Sequence, residues 1–112
     1  MTARLTSQVL VSSLIRRAEA AGGFGAVLAK GDATAGAILL ILAERGMRIG
    51  LRERLLQPDG SYAWQESGPA AADEAEFGAW LQRRRRTDPD LWLVELDLAA
   101  AAAFAAGLNA AG

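Results

Sequence analysis

The chain has 112 residues, 52% of them hydrophobic, with a formal net charge of -1, which suits one folded domain spanning residues 1–112 and excludes a disordered or polyanion-coating class. It has no cysteine and no histidine. That removes disulfides, thiolate nucleophiles, imidazole acid/base chemistry and nearly every zinc, copper or haem site, so no catalytic, cofactor-binding or metal-binding residue is assigned and a non-enzymatic protein is the favoured reading.

In chain order, the start MTARLTSQVLVSSLIRR has an apolar run broken by Gln8, Ser12 and Ser13, which is not the h-region of a signal peptide. No segment approaches the roughly 18 apolar residues of a membrane-spanning helix. With cysteine absent as well, a cytoplasmic protein with no membrane partner is expected. Thr6 or Ser7 can cap a first helix, predicted over Thr6 to Ala21, with Val9, Leu10 and Leu14 at helical spacing and Gly22-Gly23 as its exit.

Phe24 to Lys30 reads as a first strand. The following KGDATAGA places Gly31 and Gly36 at the spacing of a phosphate-binding loop, G-x-x-x-x-G. That loop needs Lys and then Ser or Thr after its second glycine, where this chain has Ala37 and Ile38, so the stretch is read as a turn and not as a nucleotide site. Ala37 to Ala43 is apolar at every position, as in a central strand covered on both faces. Arg45-Gly46 makes a hairpin turn into a strand over Arg48 to Leu56. A two-residue turn sets Leu42 opposite Ile49 and Leu40 opposite Leu51, with Leu39 near Arg52 and Ala37 near Arg54 on the other face.

Pro58-Asp59-Gly60 is a further turn, and Tyr62 to Glu66 a short fourth strand. Asp73, with Glu76 three residues on, opens a second helix that buries Phe77, Trp80 and Leu81 and stops before Pro89. LWLVEL, Leu91 to Leu96, is a fifth strand. From Leu98 the tail is alanine-rich and helical by propensity, and short enough to need docking. The expected fold is therefore α+β: an antiparallel sheet of about five strands, a four-strand meander plus a final strand, in the order α-β-β-β-β-α-β and then a tail helix. The core is 1–97 and the tail 98–112.

Among charged residues, Arg83 to Arg86 cluster at the end of the second helix, where the helix dipole favours them. Arg48, Arg52 and Arg54 alternate along one strand beside Leu39 and Ile41. Together these make the candidate interaction surface: Leu39, Ile41, Arg48, Arg52, Arg54, Arg83, Arg84, Arg85 and Arg86. The favoured partner is a second copy of the chain, as a homodimer, or another protein for which the chain serves as adaptor. The alternative is weak binding of an anionic ligand or nucleic acid, which the net charge of -1 disfavours. Asp88 and Asp90 are assigned to the turn around Pro89, and Glu95 and Asp97 to the outward face of their strand.

The succession of GGF with AVL, then GDATAGAI, then DPDLWLVEL resembles a family of short bacterial proteins known as domain of unknown function fourteen-ninety-one. The resemblance runs from Leu5 to Asp97, with GDATAGAI and DPDLWLVEL as its most specific pieces. Arg45-Gly46 departs from it, since an acidic residue precedes that glycine in the family pattern. The resemblance implies an intracellular bacterial domain and brings no catalytic residue with it.

Overall fold

A computed structural model of the chain describes residues 5–69 and 72–110. Met1 to Arg4, Ala70, Ala71 and the tail's last two residues, Ala111 and Gly112, lie outside them. The elements are α1 (Ser7–Ala20), β1 (Phe24–Ala29), β2 (Ile38–Glu44), β3 (Met47–Leu56), β4 (Tyr62–Glu66), α2 (Glu74–Thr87), β5 (Trp92–Asp97) and α3 (Ala101–Ala110). This is the expected order. Both anticipated caps form: Thr6 Oγ1 accepts from the Val9 N–H at 3.3 Å, and an Asp73 carboxylate oxygen from the Glu76 N–H at 2.8 Å.

The sheet is not purely antiparallel. Its strand order is β1-β5-β2-β3-β4, with β5 antiparallel to β1 and parallel to β2. The expected four-strand meander is thus a three-strand meander, β2-β3-β4, and β5 is inserted between β1 and β2. Composition explains the insertion. Trp92, Val94 and Leu96 point to one face and Leu93 to the other, and all four are buried, so this strand, like β2, is stable only at the centre.

The inserted strand also accounts for the two glycines at phosphate-loop spacing. The link from β1 to β2 must pass over the start of β5, and it does so at contact distance from the Asp90 carbonyl. A Cβ on Gly31 would sit 2.1 Å from that oxygen, and one on Gly36 2.2 Å from it. The Asp32 N–H donates to the same oxygen at 3.0 Å, and the Trp92 indole N–H donates to the Asp32 carbonyl at 2.7 Å. GDATAGAI and DPDLWLVEL are therefore two halves of one contact.

A second departure lies in the β2–β3 hairpin. Arg45 (φ 51°) and Gly46 (φ 79°) both take positive φ, as a two-residue hairpin turn of matching twist requires. A bulge follows, however: Ala43 pairs with Arg48 but Leu42 with Gly50, leaving Ile49 as the extra residue. Leu40 therefore faces Arg52 and Leu39 faces Glu53. One extra residue moves the rest of β3 to the opposite face.

Each sheet face carries its own core. On one, α1 and α3 lay Val11, Leu14, Ala18, Ala101, Ala105 and Leu108 over Ile38, Leu40, Leu42, Trp92, Val94 and Leu96, with Trp64 in the same cluster. On the other, α2 lays Phe77, with Trp80 and Leu81 beside it, over Leu39, Ile41, Leu51 and Leu93. The alanine-rich tail docks through both ends. The Glu44 carboxylate accepts from the Ala101 N–H at 3.0 Å, which satisfies a first-turn donor of α3. At its far end, Asn109 accepts from the Trp64 N–H at 2.7 Å and donates to the Trp64 carbonyl at 2.9 Å.

Candidate interaction surfaces

The residues expected to share one surface are divided by the bulge. Leu39 and Ile41 are 0% and 3% exposed, covered by α2, so cover comes from within the chain. Arg48, before the bulge, lies on the α2 face with them. Arg52 and Arg54, beyond it, lie on the α1/α3 face opposite Leu40 and Trp64.

Most of these arginines serve the fold. The Arg48 guanidinium sits 3.8 Å from the Phe77 ring centroid, donates to Glu74 at 2.9 Å and also donates to the Ala72 carbonyl, fixing the start of α2. Arg84 grips Glu53 with a two-pronged pair, Nη1 to Oε1 at 2.9 Å and Nη2 to Oε2 at 2.8 Å, while Ser67 donates to Oε1 at 3.1 Å. The Arg84 bonds hold the Glu53 carboxyl below its ordinary range, outweighing the opposing effect of burial, and the same pair raises Arg84. Arg52 donates to the Leu51 carbonyl at 3.0 Å and lies 3.9 Å from Glu66. Arg54 stacks 4.1 Å from the Tyr62 ring centroid.

The run Arg83 to Arg86 fans around α2, as successive residues of a helix must. Arg84 faces the sheet. Arg83 borders Gly68, Pro69, Glu76 and Trp80 on one flank, whereas Arg85 and Arg86 border Gly78, Leu81, Gln82 and Leu93 on the other. The polyanion surface read from seven arginines is thus four side chains engaged with the chain itself and three divided between two flanks.

The phosphate-loop spacing leads to an occupied site. The Thr34 and Ala35 N–H groups donate to an Asp32 carboxylate oxygen at 3.2 and 2.9 Å, and the Gly36 N–H to the Asp32 carbonyl at 3.2 Å. The loop's outward carbonyls, those of Thr34 and Ala33, accept from the Ser7 and Gln8 N–H groups of α1 at 3.1 and 2.9 Å. Donors that would cradle a phosphate are already spent. The acidic residues are also placed individually. Asp88 accepts from the Asp90 N–H at 3.2 Å, and no group of three or more potential metal-ligating side chains forms among the described residues.

Asp97 departs from its expected outward position. It is buried, and its two oxygens accept from the Arg45 and Gly46 N–H groups at 3.0 and 2.8 Å, tying β5 to the β2–β3 turn. Its only signal in the sequence is a carboxylate ending an apolar strand. Asn109 was equally unmarked, a single amide in an alanine-rich tail.

What remains accessible is an edge. In the sheet order β1 and β4 are the outer strands. The outer side of β4 is closed at its middle residue, because the Asn109 amide pairs with the Trp64 backbone as a neighbouring strand would. No described residue does this for β1. Its sequence FGAVLA carries no charge, and Phe24, Val27 and Leu28 are 54%, 44% and 51% exposed.

A family model described as a protein of unknown function (DUF1491) matches residues 5–106. The chain belongs to the DUF1491 family. The match extends past Asp97 into the first six residues of α3 and stops short of Asn109. A crystal structure of a DUF1491 family protein from Caulobacter crescentus superposes with a TM-score of 0.74 at 35% identity, covering 85% of this chain and 89% of that one. An NMR structure of a DUF1491 family protein from the same organism gives 0.73 at 36%, covering 88% and 90%. A solution structure of a protein from A. tumefaciens gives 0.71 at 36%, covering 86% and 87%. No curated protein matches the chain. Among the described residues no helix is long and apolar enough to cross a membrane.

Proposed function

We propose that this DUF1491 chain is a non-enzymatic interaction domain that pairs with a second copy of itself through the free edge of β1. The observation that carries the reading is the asymmetry of the two sheet edges. One is occupied by a side chain at its middle residue, and the other is an uncharged apolar strand whose stretch from Phe24 to Val27, ahead of an irregularity at Leu28, can take a further strand. Antiparallel pairing of two copies sets no like charges opposite one another, since Phe24–Ala29 has none.

The exposed parts of Phe24, Val27 and Leu28 amount to roughly 250 Å² of apolar area per copy, from typical side-chain areas. Complete burial of both copies' share would contribute at most about 12 kcal/mol. Strand pairing, which leaves side chains above and below the sheet partly open, gains less than that against an association cost of about 4 to 15 kcal/mol, before the strand hydrogen bonds are added. That area is about a third of the roughly 800 Å² per partner in a stable interface, so the dimer is weak and depends on concentration. Sedimentation equilibrium tests it: the mass rises from 11.8 kDa toward twice that value with concentration. Val27→Lys, which places a charge on the edge, holds the mass at the monomer. Equal masses for the two proteins at every concentration refute the reading.

A further inference from the structure

We propose that the groove between α2 and β5 binds an extended, apolar polypeptide segment carrying a carboxylate. The groove exists because α2 covers the sheet unevenly. Its apolar stripe of Phe77, Trp80 and Leu81 belongs to the cluster of Leu39, Ile41 and Leu51, and the flank turned toward β5 is left open. That opening is about 490 Å³, lined by Gly78, Leu81, Gln82, Arg85, Arg86 and Leu93.

Three features define the occupant. The first is width. From Gly78 to Arg86 the groove runs about 12 Å along α2 at 1.5 Å per residue, so its mean cross-section is about 40 Å². A strand needs roughly 48 Å², from spacings of about 4.8 and 10 Å, whereas a helix of about 10 Å diameter needs nearly 80 Å². The opening is about half the size a helix needs and close to that of a strand, so an extended chain with one side left in solvent is the better match. The second is apolarity, since Leu81 and Leu93 form the floor. Gly78 adds to it: a Cβ there would meet nothing within 4 Å, so packing within the chain does not demand a glycine, yet its lack of a side chain keeps the groove open. The third is charge. Arg84 has Glu53 as its partner, whereas Arg85 and Arg86 have no hydrogen-bonded or ion-paired partner among the described residues. Two guanidinium groups on the rim of an apolar floor complement an apolar segment with acidic side chains or a terminal carboxylate.

The test uses two fluorescein-labelled heptapeptides that alternate valine and threonine, one ending in two glutamates and its twin in two lysines, read by anisotropy at about 50 mM salt. The acidic peptide is expected to bind at least about tenfold tighter than the basic one. Arg85→Gln with Arg86→Gln removes that advantage, and Arg83→Gln, on the other flank, changes it by less than about twofold. Gly78→Leu fills the groove and abolishes binding while leaving thermal stability unchanged or raised, which separates occlusion from unfolding. Equal affinity for the twins, an equal loss from Arg83→Gln, or no binding of the acidic peptide at about 1 mM overturns the proposal. The measurement is repeated on Val27→Lys. Failure of self-association then shows in sedimentation alone, and failure of the groove shows in anisotropy alone.

Discussion

Replacing Gly36 with alanine tests the account of the β1–β2 link directly. Three backbone atoms lie under 3.0 Å from where the new Cβ would stand: the Asp90 carbonyl oxygen at 2.2 Å, and the Asp32 nitrogen and oxygen each at 2.9 Å. None belongs to a flexible side-chain end, so relief requires the loop to move away from β5. Overpacking of this kind costs about 1 to 3 kcal/mol. Moving the loop also strains the bonds from the Asp32 N–H to Asp90 and from the Trp92 indole to Asp32, each worth about 1 kcal/mol. The expected loss is about 2 to 4 kcal/mol, a large share of a small domain's stability. Urea unfolding reads it as a lower midpoint at constant slope, and the Trp92 indole proton should lose protection from exchange. A loss under about 0.5 kcal/mol with Trp92 still protected would refute the reasoning, because the loop would then have room for a side chain.

The remaining predictions concern other contacts. Gly78→Ala, which meets nothing within 4 Å, should stabilise the protein by about 0.5 to 1 kcal/mol in the same urea assay, opposite in sign to Gly36→Ala although the substitution is identical. Glu53→Gln should cost about 1 to 2 kcal/mol at neutral pH. Because the Glu53 carboxyl is held low, its contribution is present above the unfolded-state value and is lost as pH falls through the lower folded one, so wild type and variant should converge in stability as the solution is acidified past that lowered value. Asn109→Ala should cost about 1 to 3 kcal/mol and speed exchange of the Trp64 amide. Calorimetric titration with Mg-ATP or Mg-GTP should give no heat, since the N–H groups of Asp32, Thr34, Ala35 and Gly36 are already donated within the chain.

Element positions were legible in the sequence because their signals are local. Thr6 and Asp73 cap the helices they were expected to cap, and Pro89 follows the end of α2. Strand partners were not, because pairing is set by distant residues. LWLVEL is apolar on both faces apart from Glu95, and that nearly double-sided pattern was the available signal that it belongs between two neighbours and not at an edge. Gly31 and Gly36 were separated from nucleotide binding because Ala37 and Ile38 lack the needed chemistry. Their actual purpose, room for the Asp90 carbonyl, became visible only once β5 was in place.

The bulge at Ile49 had the largest consequence for the candidate site. Alternation along β3 put Arg48, Arg52 and Arg54 on one face, as an unbroken strand of period two would. One unpaired residue sends Arg48 to α2 and Arg52 and Arg54 to the opposite face. The same slip sets Glu53 opposite Leu39, beneath α2, where Arg84 reaches it. Without the bulge, Glu53 would face away from α2 and its partner would be left unpaired on a half-buried helix face. The arginine cluster is therefore split by the strand that looked most regular in sequence. Arg48 and Arg84 clamp α2 at its two ends, and it is this clamping that leaves Arg85 and Arg86 on the flank over Leu93.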